Sequence, residues 1–513
     1  MVVSVKDILE TQGPGLTGEV IETLVKNGAS PAAARKRVER AQFDYTKLAG
    51  VRFTKNARFI YLDHQYGDKD FWRAVERAFE KAGTSYWHMV NGLRARGGRC
   101  KASYFPVVAG APKARKSQLS PSRILERLCQ INLLEVKKLT NDVEYVQFQP
   151  NIYHRISEER LLATHLAETI LLNAVTTWAQ KLGFGSFNQF KIRTEEELPI
   201  VSGLAWDMSA PSYMRPMRQV VDGKLRPAFF VCDVNLNGPL DKGFVAAFIH
   251  KHDVASAPRN VAPILPLLVG DVFTQDAYDL SKQKGVMAVT VADMFGNEVR
   301  KALQDLIDLL SDAGATVSVN PEHLAIVLNN LSKIEGSANN LRGTLFEFVA
   351  GSLLKDIETK GFLEVGKKHT DFKKTGKQFE IDVLLNQEDK NRALIIECKS
   401  KIPGALVSLA EVKHWYDDRV PLIFKTLKDS YRLEGREFVF ELWSNGGLHR
   451  QASSWLETQK PESKKYKIGW KDGSALKEYS NKASSSAIRQ VLKDHYFTHA
   501  YSKIRSSNRS AID

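Results

Sequence analysis

The chain of 513 residues holds four cysteines, Cys100, Cys129, Cys232 and Cys398, and no two stand as C-x-x-C. That spacing indicates neither a thiolate zinc site nor a disulfide framework. No run of 18 apolar residues occurs, so no membrane span is expected. The opening MVVSVKDILE has acidic residues where a secretory leader needs an apolar run. A reducing cytoplasm is the expected compartment. A phosphate loop of the form G-x-x-x-x-G-K-[ST] is also missing, so any ATP-driven motor must be a separate chain. Histidine offers no ligand set. His64 and His88 stand alone and are expected to be structural. His250 and His252 lack further spaced partners, and His495 and His499 share a helix face outside any H-E-x-x-H context.

Acidic residues are the minority, and the net charge is +14. The excess sits at the ends. Lys and Arg outnumber Asp and Glu by 25 to 15 in residues 1–150 and by 12 to 6 in 451–513, which leaves the middle near −2. Basic ends suit a polyanion, because Lys and Arg neutralise phosphates and release counterions.

The richest stretch is Phe379–Lys401, FEIDVLL, then NQEDKN, then RALIIECKSK. It reads as two β-strands that end on charged residues. Side chains two apart on a strand share a face. Glu380 and Asp382 therefore point one way on the first strand, and Glu397 and Lys399 point one way on the second. Ile381, Val383, Ile396 and Cys398 can face a core. If the strands pair, Asp382 and Glu397 converge with Lys399 beside them. Charges at the end of a buried strand need a reason. Two carboxylates and a backbone carbonyl, that of Cys398, make a hard oxygen site for Mg²⁺ or Mn²⁺. Such a cation acidifies water and stabilises charge on a phosphoryl group, and a lysine beside it can hold or deprotonate that water.

EIDVLL followed by LIIECKSK resembles the PD-(D/E)XK nuclease superfamily, and is most similar to Mrr-like restriction endonucleases and Holliday-junction-resolvase-like nucleases. The resemblance covers roughly residues 335–475. It implies Asp382, Glu397 and Lys399 as the catalytic trio, with Glu347 of LRGTLFEFVAGSLL as the glutamate of the preceding helix. Ile381 stands where the family's proline would. Lys413 in SLAEVKHWYDD takes the place of a Gln or Lys that many members carry on the next helix; a solvated lysine is the alternative.

Along the chain the expected fold class is α/β in several domains. Residues 1–65 read as a winged helix-turn-helix: two amphipathic helices, a third opening at Ser30-Pro31, then an apolar strand pair. Arg35, Lys36, Arg37 and Arg40 on the third helix, with Lys55 and Arg58 at the turn, would face DNA. Residues 66–154 read as a second such unit, with Arg94, Arg96 and Arg99 as further phosphate contacts. Residues 155–300 repeat the element order of the C-terminal half. There Glu168 matches Glu347, Asp207 matches Asp382, Asp233 matches Glu397, and Asn235 stands at the place of Lys399. This reads as a degenerate nuclease-like domain. Residues 301–340 form a helical linker with a hinge near Ser337, 341–475 the working nuclease domain, and 476–513 a C-terminal helix with a basic tail.

The leading expectation is a Mg²⁺-dependent endonuclease on double-stranded DNA. The resemblance implies a place in restriction or antiviral defence, the homodimers common in the superfamily, and a separate ATPase or helicase partner. Two alternatives stand beside it. One is a DNA-binding regulator or scaffold that does not cut; the other is an RNA nuclease, since basic helices bind either polymer.

Overall fold

The computed structural model describes residues 3–115, 118–138, 143–215, 217, 219–221, 224–258, 261–311, 321–332, 338–358, 360–370, 378–401, 405–428, 433–459 and 465–497, excepting the side chains of 55, 220, 221, 224, 321–325, 332, 338–344, 368, 370 and 378. The expected hinge centre at Ser337 and the basic tail, with His499, lie outside them. The chain is a multi-domain α/β protein with two compact units, 1–157 with 175–294, and 158–174 with 295–513.

The first unit opens with α1 (Val5–Gln12), β1 (Gly15–Leu16), α2 (Thr17–Lys26), α3 (Pro31–Arg40), β2 (Thr46–Lys47) and β3 (Phe59–Tyr61). The three strands form an antiparallel sheet in the order β1-β3-β2. Local chemistry sets the helix starts. Ser4 and Asp7 form a reciprocal capping box at α1, and the Ser30 hydroxyl accepts from Ala33 N–H ahead of Pro31. Each such cap stabilises its helix by about 1 kcal/mol. Ala34 and Val38 turn into the core with Leu9, Val20 and Ile60, which leaves the basic residues of α3 outside.

The same order of elements follows again. After α4 (Lys69–Lys81) come α5 (Ser85–Ala95), β4 (Arg99–Lys101), α6 (Phe105–Ala109), α7 (Pro121–Gln130), β5 (Leu134–Lys138) and β6 (Glu144–Phe148), with sheet order β4-β6-β5. The core does not break at residue 65. Phe59 of the first sheet packs edge-on against Phe71 of α4, and one apolar cluster runs from Leu16 through Phe79 and Ile124 to Phe148.

Next come α8 (Glu158–Lys181), whose residues up to Ala174 belong to the second unit, and a five-stranded sheet. Its strands are β7 (Lys191–Ile192), β10 (Met208–Ser212), β13 (Ala228–Leu240), β14 (Ile264–Phe273) and β15 (Met287–Thr290). They lie in the order β7-β10-β13-β14-β15, the first two junctions antiparallel and the last two parallel. Helices α9 (Lys242–Ser256) and α10 (Gln275–Gln283) make the two parallel crossovers. Two small hairpins complete the region, β8 (Ile200–Val201) with β9 (Leu204–Ala205), and β11 (Gln219–Val221) with β12 (Lys224–Arg226).

In the second unit, α11 (Val291–Phe295), most of which belongs to the first, leads to α12 (Asn297–Ser311), α13 (Pro321–Ser332) and α14 (Ala338–Glu358). The second five-stranded sheet is β16 (Phe362–Thr370), β17 (Gln378–Gln387), β18 (Arg392–Lys399), β20 (Glu437–Ser444) and β22 (Lys467–Lys471), in that order. Again the first two junctions are antiparallel and the last two parallel. The crossover from β18 to β20 carries β19 (Leu406–Val407), α15 (Leu409–Lys413), a π-helical turn His414–Arg419 and α16 (Val420–Leu427). Pro421 in the first turn of α16 has no N–H to close an α-helical bond, which favours the widened turn before it. Beyond β20 lie β21 (Gly447–Leu448) and α17 (Arg450–Gln459), and beyond β22 lie α18 (Gly473–Ser480) and α19 (Ser486–Val491). Val412, Trp415, Val420 and Ile423 of the crossover pack on Leu384, Ile395 and Phe440 of the sheet. On α14, a Cβ at Gly351 would stand 2.7 Å from Val365 Cγ2, so only glycine allows so close a seat for the helix that carries Glu347.

Candidate active site

Strands β17 and β18 run antiparallel, and their last ladder pair at this end is Val383 with Ile396. Asp382 and Glu397 are the next residues outward. The Asp382 Oδ2 atom accepts a 2.7 Å hydrogen bond from the backbone N–H of Cys398, which locks the carboxylate against the neighbouring strand. Opposite Asp382, β16 places Gly366 at φ +60°, a left-handed conformation that glycine adopts without strain. A Cβ there would come within 3.5 Å of Glu380 Oε1 and 3.7 Å of Glu347 Oε2, so both carboxylates gather over this glycine. Glu347 arrives from α14, and Lys399 Nζ lies 2.9 Å from Glu397 Oε1.

The negative charge of this cluster is not balanced. Burial, then the charges of Asp382, Glu380 and Glu397, push Glu347 up to about 9. Burial and Glu397 push Asp382 up to about 7. Burial and like charge together favour the protonated form of these carboxyls, a pattern found at functional sites.

Two cations already answer part of the shortfall. One is Lys399. The other is Arg419, at the end of the π-helical turn, whose Nε donates to Glu397 Oε2 at 2.8 Å. Its Nη2 donates to the Glu380 carbonyl at 2.7 Å and stands 3.9 Å from Asp382 Oδ1. The sequence offered Lys413 for this helix with a solvated lysine as the alternative, and the structure places it away from the carboxylates. Lys413 Nζ sits over the Trp455 ring at 5.6 Å from its centroid, one and a half turns before the residue that reaches the carboxylates. The π-helical turn shifts the helix face, and a plain 3.6-residue period does not reveal that shift.

The donor set suits a hard divalent cation by its chemistry, since Glu347, Asp382, Glu397 and the Cys398 carbonyl offer only oxygen. Among the described residues no three acidic, histidine or cysteine side chains converge in ligating geometry. The Glu397 oxygens are engaged by Lys399 and Arg419 instead.

The counterparts in the first sheet occupy matching positions. Met208 pairs with Cys232, so Asp207 and Asp233 are the next residues outward. Asp207 Oδ2 accepts from the Val234 N–H at 2.8 Å. Asn235 is buried and donates to the Ala95 carbonyl at 3.1 Å. Glu168 lies buried on α8.

The proposed nucleic-acid residues divide. Arg35, Lys36, Arg37 and Arg40 are exposed along α3, as is Arg58, and Phe43 just beyond α3 is 91% exposed. The side chain of Lys55 lies outside the described residues. Arg94, Arg96 and Arg99 are engaged by partners within the chain, and Arg96 is buried. Arg94 bonds Glu76 at 2.7 Å, Arg96 is buried between the rings of Tyr104 and Phe244, and Arg99 donates to Gln147 at 2.7 Å. Arg94 stands in the last turn of α5, Arg96 just after it and Arg99 on β4; α5 packs on α9 and β13, and Arg96 is the buried one of the three. His88 and His250 meet in that same packing, with rings stacked 3.9 Å apart.

Among the described residues no helix is long and apolar enough to cross a membrane. No family model matches the chain, and no curated protein matches it. Among solved structures, a protein of unknown function named AF1548 is 13% identical over 26% of this chain and 67% of its own length, with a TM-score of 0.19. Protein VC1899 from Vibrio cholerae is 10% identical over 73% of this chain and 62% of its own, with a TM-score of 0.18. At those scores neither likeness bears on fold or function.

Proposed function

We propose that the chain is a divalent-metal-dependent endonuclease acting on double-stranded DNA. The observation that carries this reading is the cluster of Asp382, Glu397, Glu347 and Lys399, in which burial and then neighbouring carboxylates push Asp382 up to about 7 and Glu347 up to about 9. Asp382 and Glu397 would hold Mg²⁺ or Mn²⁺, with Glu347 behind them. The ion would supply Lewis acidity at a phosphoryl oxygen and acidify nearby water. The chain's own residues do the rest. Lys399 Nζ orients the attacking water and steadies negative charge at phosphorus. Cys398 N–H fixes the Asp382 carboxylate, and Arg419 fixes Glu397 until phosphate competes for its guanidinium. The exposed basic face of α3 brings duplex to the protein. Restriction or defence against foreign DNA is the proposed setting, with any motor on another chain.

The engagement of both Glu397 oxygens favours one second reading, a DNA-binding regulator that keeps the fold without cutting. The test is hydrolysis of labelled duplex in Mg²⁺ or EDTA by wild type and Asp382→Ala. Cutting that needs both the ion and Asp382 supports the nuclease. Tight binding with no cutting in Mg²⁺ or Mn²⁺ supports the regulator.

A further inference from the structure

The two five-stranded sheets carry carboxylate pairs at corresponding places, in very different surroundings. In the first, every carboxylate oxygen has a partner from the chain. Asp207 Oδ1 receives Arg193 at 2.7 Å and the Tyr104 hydroxyl at 2.8 Å, and Oδ2 receives Val234 N–H. Asp233 Oδ1 receives the Asp207 N–H at 3.1 Å, and Oδ2 receives Lys251 at 2.5 Å. Two carboxylates are thus matched by two cations. Aromatic rings close the remaining sides, with Arg193 over Tyr104 at 4.6 Å and Lys251 over Trp206 at 4.2 Å. Asp207 is 0% exposed, Asp233 3% and Lys251 2%. All four oxygens of the pair are thus engaged by the chain and buried.

One part of the plug, the Tyr104 hydroxyl and ring, comes from the preceding residues 66–154. Tyr104 lies just before α6, and Asn235, at the place of Lys399, is spent on the last turn of α5. The carboxylate pair has become a fastening for residues 66–154. In the second sheet the Lys399 side chain keeps 28% exposure and the Asp382 side chain 13%.

We infer that each chain holds one cutting centre and one closed, structural copy of it, so that a single chain severs one strand of a duplex per engagement and releases a nick. This rests on the nuclease reading above. Each event adds one water across one P–O bond, its hydroxyl going to phosphorus and its proton to the departing sugar oxygen. The opposite strand runs antiparallel, so its cleavage requires a second engagement or a second chain.

The experiment is a time course on supercoiled plasmid with the full chain and Mg²⁺. The inference expects nicked circles to become the main species before linear DNA appears, at every protein concentration over a tenfold range. Linear DNA from the outset, without a nicked precursor, overturns it. No cutting at all overturns the nuclease reading itself, a distinguishable result. A double variant, Asp233→Asn with Lys251→Met, keeps the acceptor for Asp207 N–H and removes both charges. Apolar replacement of buried pairs is often tolerated. It should nick within about twofold of wild type, whereas a loss of tenfold or more at unchanged melting temperature gives the first centre a part in cutting and overturns the inference. Should that variant fail to fold, Tyr104→Phe, which removes only the hydroxyl, is held to the same criterion.

Discussion

Arg419 and Glu397 are joined by a 2.8 Å hydrogen bond from Nε to Oε2, which ties the π-helical turn to the charged end of β18. Arg419 is a positioning residue for that carboxylate. Arg419→Lys removes the fork that reaches Glu397 and the Glu380 carbonyl together. Cutting should fall by about 10-fold or more, with a stronger dependence on Mg²⁺ concentration, because Glu397 loses its orientation. Arg419→Met should fall further. Mg²⁺ titrations of the cutting rate for the three proteins check this.

The raised carboxyls of this cluster make stability depend on pH in a defined direction. Glu347 and Asp382 have folded values above those of free carboxyl groups, about 9 and about 7. Their contribution is therefore present at low pH and is lost as pH rises through those values. A bound divalent cation replaces the missing protons. Mg²⁺ should raise the melting temperature more at pH 8.5 than at pH 5.5, by several degrees at saturation, since ligand at about 100 times Kd stabilises by ~2.7 kcal/mol. Glu347→Gln should remove much of the pH dependence. Calorimetry at both pH values with and without Mg²⁺ measures it.

Much of this centre was legible in the sequence, and particular residues show why. Asp382, Glu397 and Lys399 stood out because strand alternation is strict and charges ending an apolar strand are rare. The repeat of the sheet was visible in the order of helices and strands, and the register of Asp207 with Asp233 matches that of Asp382 with Glu397. Strand β16 escaped notice because FLEVGKKHT is half polar. Arg94, Arg96 and Arg99 misled because three arginines near a helix end look like a surface patch. Their partners Glu76, Phe244 and Gln147 come from α4, α9 and β6, which the sequence alone does not bring together. Arg193 and Lys251 carry no motif at all; their role depends on contacts across the fold.

The arginines therefore divide into two groups with different readouts. Arg37→Ala or Arg40→Ala on α3 should weaken duplex binding similarly for all sequences and reduce the salt slope by about 1 each. Arg96→Ala should instead cost stability, about 2 kcal/mol, by removing a desolvated cation between two rings. Binding isotherms across salt concentrations and melting curves separate the two.

The stacked pair His88 and His250 sets an acid limit on the first unit. Burial, then the nearby His250, holds His88 down at about 3, and burial holds His250 below its ordinary value. The unfolded chain takes up a proton at His88 below about pH 6.5 while the folded chain does so only near 3. Stability should fall as pH drops from 6.5 toward 3, by up to ~1.4 kcal/mol per pH unit for His88, with His250 adding a loss in the same direction. His88→Phe should flatten the acid limb in urea unfolding at pH 7, 6 and 5.

The most direct test of the central claim is the rate of duplex hydrolysis in Mg²⁺ by wild type and by Lys399→Ala at equal folded content. The account predicts cutting by wild type and a loss of about 10²- to 10⁴-fold in the variant, the range for removing a group that manages protons at the reacting atom. A variant that cuts as fast as wild type would place the chemistry away from Asp382, Glu397 and Lys399 and contradict the account.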